Sequence, residues 1–286
     1  MGRRITTLIY FAGAERELIQ KMLVDLKIKN IFVSYYYIRH SRSKWLWEIQ
    51  KEKGLRIMVD SGVFTMWVKY QKDKKVLSKP EAEKFIQDYV KWLDEHKEYI
   101  FGCTNFDLDV VFGAKQIDEW DNKYFIPRLK DGLDIAFVFH RKERGMNHFT
   151  DMIRKFKYVG ISTFDKLSMP QMAFAARTMG SKIHAFGFTE IPQLRRAQLY
   201  SADSTTWTSG QRYGISYLFL ENRLFQILKE KKLIFRKRWK NEIEAKGLDW
   251  HKIINDDSNE IQKMNAMAWF EWSNWFNAHF RQGEIY

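Results

Sequence analysis

Five short stretches carry side chains that can do chemistry: Asp60-Ser61-Gly62, Asp107 with Asp109, His140, Gly160-Ile161-Ser162, and Asp203-Ser204. Each follows or closes a run rich in β-branched and aromatic residues, the composition of a strand. Carboxylates gathered at strand ends suit chemistry at a sugar carbon, where one attacks an anomeric centre of oxocarbenium character and another manages protons. Glycoside hydrolases and nucleoside-modifying enzymes share that chemistry, and the carboxylates alone do not separate them. Taken singly, each Asp or Ser also reads as a helix N-cap or a loop-ordering group. Several of them at one mouth weigh more than each alone.

The elements that must position these residues follow from the hydrophobic pattern. Strand-like runs begin at Thr7, Ile31, Arg56, Tyr99, Ile135, Tyr158, Ile183 and Leu199. Segments of helical periodicity lie between them, such as 79–97, with Ser78 as N-cap and Pro80 in the first turn. Regular alternation demands parallel strands with right-handed crossovers, and eight units close into a (β/α)8 TIM barrel, expected over residues 1–215. Barrel active sites form at the C-terminal strand ends, where the five stretches fall. After Gly214 the alternation stops. Residues 216–232, with Leu218, Phe225 and Leu228 on one side, and 258–280, with Trp269, Trp272 and Phe276, read as helices, so 216–286 is expected to be a helical extension packed on the barrel.

Composition bounds the partners. The chain has 286 residues, 45% hydrophobic and 29% charged, enough for a sizeable core in a globular protein. Its net charge of +13 points to a polyanionic partner. Basic residues cluster in loops after strand runs: Arg39, Arg42 and Lys44; Lys69, Lys72, Lys74 and Lys75; Arg141, Lys142 and Arg144. In a barrel these loops are expected to rim the mouth together, as a track for a phosphate backbone. Cys103 is the only cysteine, which excludes an intramolecular disulfide and every cysteine-rich zinc pattern, and it reads as buried filler. No apolar run approaches the roughly 18 residues of a membrane span, and the start of the chain does not read as a signal peptide, so a cytoplasmic protein with no membrane partner is expected.

At the same residues the chain resembles the guanine transglycosylases, which exchange guanine for a 7-deazaguanine. Asp60-Ser61-Gly62-Val63-Phe64 is similar to the family's DSGGFQ element, departing at Val63 and Thr65. The stretch from Asp203 to Gly214 resembles DCVLPTRSGRNG, matching at Asp203, Thr208, Arg212 and Gly214. Asp107 looks like the Asp of the FDE element, and Gly160 with Ile161 looks like the GGLAVG strand. The resemblance covers most of residues 55–214.

The resemblance implies that Asp203 is the nucleophile attacking C1′ and that Asp60 is the general acid/base. It implies a base pocket of Ser61, Gly62, Phe64, Asp107, Gly160 and Ile161, with His140 near a family glutamine; Trp207, an aromatic beside the nucleophile, is expected with Phe64 to sandwich the base or shield the ester. Arg39, Arg42, Lys44, Lys69, Arg141 and Arg212 would hold nucleic acid. The tRNA-acting members carry a zinc site of three cysteines and a histidine after the nucleophile loop; here no zinc or other cofactor is expected, with a 7-deazaguanine such as preQ0 as co-substrate. Residues 184–207 look more like the phage-type enzymes that act on DNA, so DNA is the expected partner and tRNA the alternative. A nucleic-acid N-glycosidase and a noncatalytic nucleic-acid-binding barrel remain the competing readings.

Overall fold

The computed structural model describes residues 6–41, 43–162, 168–188 and 191–279, except for the side chains of 191–193, 211 and 212. The chain divides into two compact units, one of Thr7–Gln20 with Lys29–Asp203 and one of Met1–Thr6, Lys21–Ile28 and Ser204–Tyr286.

Eight parallel strands close a barrel in sequence order: β1 (Leu8–Ala12), β2 (Asn30–Ser34), β3 (Arg56–Asp60), β4 (Gly102–Thr104), β5 (Ile135–Phe139), β6 (Tyr158–Ile161), β7 (Lys182–Ala185) and β8 (Ser201–Ser204). The chain is a (β/α)8 TIM barrel. At the closing seam the Leu8 amide donates to the Tyr200 carbonyl at 2.9 Å, and the Thr7 hydroxyl donates to that of Leu199 at 2.8 Å. Both faces of parallel strands are covered, so β5 is buried along its whole length. Tyr10, Ala12, Phe32, Met58, Ala136 and Tyr158 pack together in the barrel.

Two strands lie later in the sequence than their apolar runs suggest. β4 begins at Gly102, not Tyr99, because Tyr99 closes the turn after the preceding helix, its amide donating to the His96 carbonyl, and β8 begins at Ser201, not Leu199. Small polar residues form these strands because parallel pairing, not side-chain propensity, holds them.

The helix Lys79–His96 begins with the predicted cap: the Ser78 hydroxyl accepts from the Glu81 amide while Glu81 reaches back to the Ser78 amide, with Pro80 in the first turn. Its inner face of Ala82, Phe85, Ile86, Tyr89, Val90 and Leu93 is buried. The Tyr89 hydroxyl lies 3.2 Å from the Val59 carbonyl and 3.1 Å from that of Thr104, tying this helix to the ends of β3 and β4.

In the second unit the expected helix over 216–232 is replaced by an antiparallel hairpin, β9 (Ser216–Leu220) and β10 (Arg223–Ile227). Leu218 and Phe225, seven apart, mimic one helical face but are cross-strand partners. Glu221 and Asn222 adopt φ of 47° and 62°, the left-handed pair of a type I′ turn, which matches strand twist and overrides the helical spacing. The long helix Ser258–His279 forms as expected and buries Trp269, Trp272 and Phe276. It is joined to β9 through Asn265, whose Oδ1 accepts from the Tyr217 amide at 2.7 Å. Buried Arg236 donates to Ser216 Oγ at 2.9 Å, to the Ile253 carbonyl at 2.8 Å and to Asp256 at 2.6 Å. No helix among the described residues is long and apolar enough to cross a membrane.

Candidate active site

Asp60 ends β3, where the chain turns through Ser61-Gly62 into the helix Val63–Lys72. Its Oδ2 accepts from the Gly62 amide at 2.9 Å and its Oδ1 from the Thr104 hydroxyl at 3.2 Å. Gly62 sits at φ 71°, and a Cβ there would lie 2.2 Å from Ser34 Oγ and 2.5 Å from Tyr36 Cβ, so only glycine makes this turn. Burial, and then the charge of Asp107, push the Asp60 carboxyl up to about 7; the Gly62 amide and Thr104 pull it down, and Asp203 adds to the rise. Asp107 and Asp203 both act on Asp60, as carboxylates brought near one another do.

Asp203, on β8, is buried. Its Oδ1 accepts from the Gly187 amide at 3.0 Å and faces His184 Nε2 at 3.3 Å. Among the described residues Oδ2 accepts nothing, leaving one oxygen fixed and the other open.

Asp107 and His140 form a pair, Nε2 to Oδ2 at 3.4 Å, with the Asp107 carbonyl 3.1 Å from the same nitrogen. Burial opposes charge on His140, but the hydrogen bond to Asp107 and the carboxylates of Asp107, Asp109 and Glu143 outweigh it and raise the imidazole to about 9. Asp109 faces a different task. It is buried against Arg144, Nε to Oδ1 2.5 Å, and Arg144 also bonds Asp118 at 2.7 Å. Below this loop, Asn105 donates to both oxygens of Asp121 at 3.0 Å and accepts from the Val138 amide at 2.9 Å. Burial raises Asp121 to about 8. Thr104, Asn105 and Asp121 carry no motif and were missed by sequence reasoning; their role comes from which strand ends are adjacent.

A cavity of 980 Å³, in the upper range for small-molecule sites, opens at Asp107 and His140; Asp60 and Asp203 are not among its lining residues. Phe64, Trp67 and Phe186 give it aromatic walls, Asp107 and His140 a polar edge, and Arg141 and Lys142 a basic rim. Phe64 is 62% exposed and its ring centroid lies 5.5 Å from that of Trp67. Gly160 permits the wall opposite: a Cβ there would lie 2.4 Å from the Phe186 ring.

Other expected site residues fall elsewhere. Ser61 and Ile161 are wholly buried, and the Ser61 hydroxyl lies 3.4 Å from the Val63 amide, so their side chains are packing groups. Trp207 belongs to the second unit, and its ring is buried rather than open to a base. The basic side chains do not all line one cavity. Arg39 and Lys69 line a separate groove of 620 Å³, and Lys44 another of 400 Å³. The division follows from the helix Val63–Lys72: Phe64 and Trp67 face the large cavity, while Met66, Lys69 and Tyr70 face the Arg39 groove. Arg42 and the side chain of Arg212 lie outside the described residues. Cys103 is free and buried, as expected of filler.

No protein-family model matches the chain, and no curated protein matches it. Among solved structures, the tryptophan synthase A-subunit from Pyrococcus furiosus is 12% identical, covering 75% of this chain and 93% of that one at a TM-score of 0.43. Tryptophan synthase from M. tuberculosis, in an open form with BRD0059 bound, is 10% identical over 73% and 86% at 0.42. Orotidine 5′-monophosphate decarboxylase from Methanocaldococcus jannaschii is 13% identical over 70% and 88% at 0.41. Likenesses of this size carry no argument about chemistry.

Proposed function

We propose that this protein is a DNA-guanine transglycosylase, an enzyme that replaces guanine in DNA with a 7-deazaguanine through a covalent Asp203 intermediate. The observation that carries the reading is the unlike treatment of two neighbouring carboxylates. Asp203 has one oxygen that accepts from the Gly187 amide and faces His184 Nε2, and the other without a partner among the described residues, while Asp60 is pushed up to about 7 and can carry a proton at neutral pH. Carboxylates so differentiated divide into nucleophile and acid/base.

In the first half-reaction Asp203 Oδ2 bonds to C1′ as the C1′–N bond breaks. The electron pair leaves with guanine, whose nitrogen takes the proton from Asp60. In the second, Asp60 accepts a proton from the incoming base, its nitrogen bonds to C1′, and the C1′–O bond breaks to restore the Asp203 carboxylate. The ester conserves the glycosidic bond energy, so no ATP is required, but water must be excluded. The aromatic walls support that exclusion, and the Asp107–His140 pair offers an acceptor beside a donor for a base edge. A base stacked in duplex DNA cannot enter such a cavity, so the target must be flipped out or single-stranded. The preference for DNA over tRNA is supported by the resemblance of residues 184–207 and by the absence of the cysteines that zinc-bearing relatives use.

Incubation with radiolabelled guanine tests the reading. Exchange labels the polymer; abasic sites without label indicate an N-glycosidase, and neither product indicates a binding module. DNA and unmodified tRNA are compared at matched salt, and faster labelling of tRNA overturns the DNA preference while leaving the mechanism standing. A chelator is expected to leave the rate unchanged.

A further inference from the structure

Among the buried titratable groups that the mechanism above does not use as an acid or base is His184. It is wholly buried on β7. Its ring stacks on Phe32 at 5.7 Å and 6° between planes, and meets Phe186, Tyr10 and Tyr158 edge-on at 4.5, 6.3 and 6.3 Å. Both ring nitrogens are engaged: Nε2 faces Asp203 Oδ1 at 3.3 Å, and Nδ1 lies 2.8 Å from Ser201 Oγ. Ser201 is in turn 2.6 Å from the Tyr158 hydroxyl.

We infer that His184 is a positioning residue for the Asp203 nucleophile, its tautomer fixed by the buried chain Tyr158–Ser201–His184. The inference rests on the transglycosylase reading for its consequence, but not for its geometry. For a neutral imidazole, one arrangement of protons satisfies both ring nitrogens. A carboxylate accepts and cannot donate, so the neutral ring carries its hydrogen on Nε2 and leaves Nδ1 bare. Bare Nδ1 must then accept from the Ser201 hydroxyl, whose oxygen accepts from Tyr158. Burial raises the Tyr158 phenol well above its ordinary value, so it remains a donor. The reverse order would set a lone pair of Nε2 against Asp203 Oδ1 in a buried interior, where an unmet polar pair is costly.

The consequence falls on the second half-reaction. His184 and the Gly187 amide both bond Oδ1, so Oδ2 is the oxygen that forms the ester. When the C1′–O bond breaks, its electron pair returns to the carboxylate, and the two donors stabilise that charge. Removing His184 raises the basicity of the departing carboxylate and slows breakdown of the ester more than its formation. A merely structural loss would lower both and leave no intermediate behind.

The test is made on the full chain with single-stranded DNA and labelled guanine. In His184→Phe, whose ring fills the same aromatic cage, exchange is expected to fall about 10- to 100-fold, the usual cost of losing an orienting partner, while the protein–DNA adduct on denaturing gels rises above wild type. His184→Gln, which can place an amide N–H near the site of Nε2, should recover part of the rate and lower the adduct. Long-range ¹⁵N–¹H spectra of the wild-type protein should show His184 protonated at Nε2 alone, and Ser201→Ala should mix the tautomers. An Nδ1–H tautomer in the wild type, or wild-type exchange without added adduct in His184→Phe, overturns the inference. If the wild type neither exchanges guanine nor forms an adduct, the transglycosylase reading fails, while the tautomer still decides whether His184 donates to Asp203.

Discussion

Thr104 Oγ1 donates to Asp60 Oδ1 at 3.2 Å and accepts from the Ser61 amide at 2.9 Å, so one buried hydroxyl on β4 holds both the acid and the turn that follows it. Thr104→Val keeps the shape and deletes both bonds. With burial and the Asp107 charge already raising Asp60 to about 7, loss of this donor moves it higher. The high-pH limb of guanine release should shift upward, and stability should fall by about 1–3 kcal/mol because the Ser61 amide is left unpaired. Rate against pH and urea unfolding measure the two effects.

Asp203→Asn is expected to abolish exchange while DNA binding stays near wild type, because the amide cannot form the ester yet nearly preserves shape. Filter binding and the labelling assay are read side by side, and turnover at the normal rate would falsify the nucleophile assignment.

Gly160→Ala should disturb Phe186, since the new methyl carbon would lie 2.4 Å from that ring. Overpacking of this kind costs about 1–3 kcal/mol. Phe186 also walls the large cavity, so base affinity should weaken together with thermal stability.

The stability of the fold should decline as pH rises. Asp60 and Asp121 are raised to about 7 and about 8, so the folded state holds protons that the unfolded state releases from about pH 4, and stability falls from there until each has titrated. His140 is raised from 6.5 to about 9, so its contribution is full below 6.5 and is lost as pH passes through 9. All three slopes share a sign. Tm measured from pH 5 to 9.5 should drop, and His140→Asn should flatten the part between about 6.5 and 9.

The two basic regions should separate in their salt dependence. Arg141 and Lys142 rim the large cavity, whereas Arg39 and Lys69 line the groove on the far side of the helix Val63–Lys72. If DNA runs over both, neutralising either pair lowers the slope of log affinity against log salt by about 1 for each phosphate that its cations had paired. An unchanged slope for the Arg39 and Lys69 pair would confine the polymer to the cavity side.

Local pattern alone determined the barrel. The runs ending at Asp60, Phe139 and Ile161 carry their strand identity in their own composition, the cap at Ser78 and Glu81 is written within four residues, and regular alternation leaves few topologies. Strand-end placement put Asp60, Asp107, His140 and Asp203 at one mouth for the same reason: in a parallel barrel every C-terminal strand end faces the same way. The tertiary structure decided what depends on neighbours distant in sequence. Register across β7 and β8 sets His184 opposite Ser201 and beneath Asp203, and the fit of Phe186 explains why Gly160 has no side chain. One helix divides basic groups that look alike in the sequence, and a left-handed turn at Glu221-Asn222 converts a helix-like spacing into cross-strand pairs. Periodicity is a property of a segment and survives without its neighbours. Partnership, burial and pKa are properties of two or more segments at once, and they exist only after the barrel has closed.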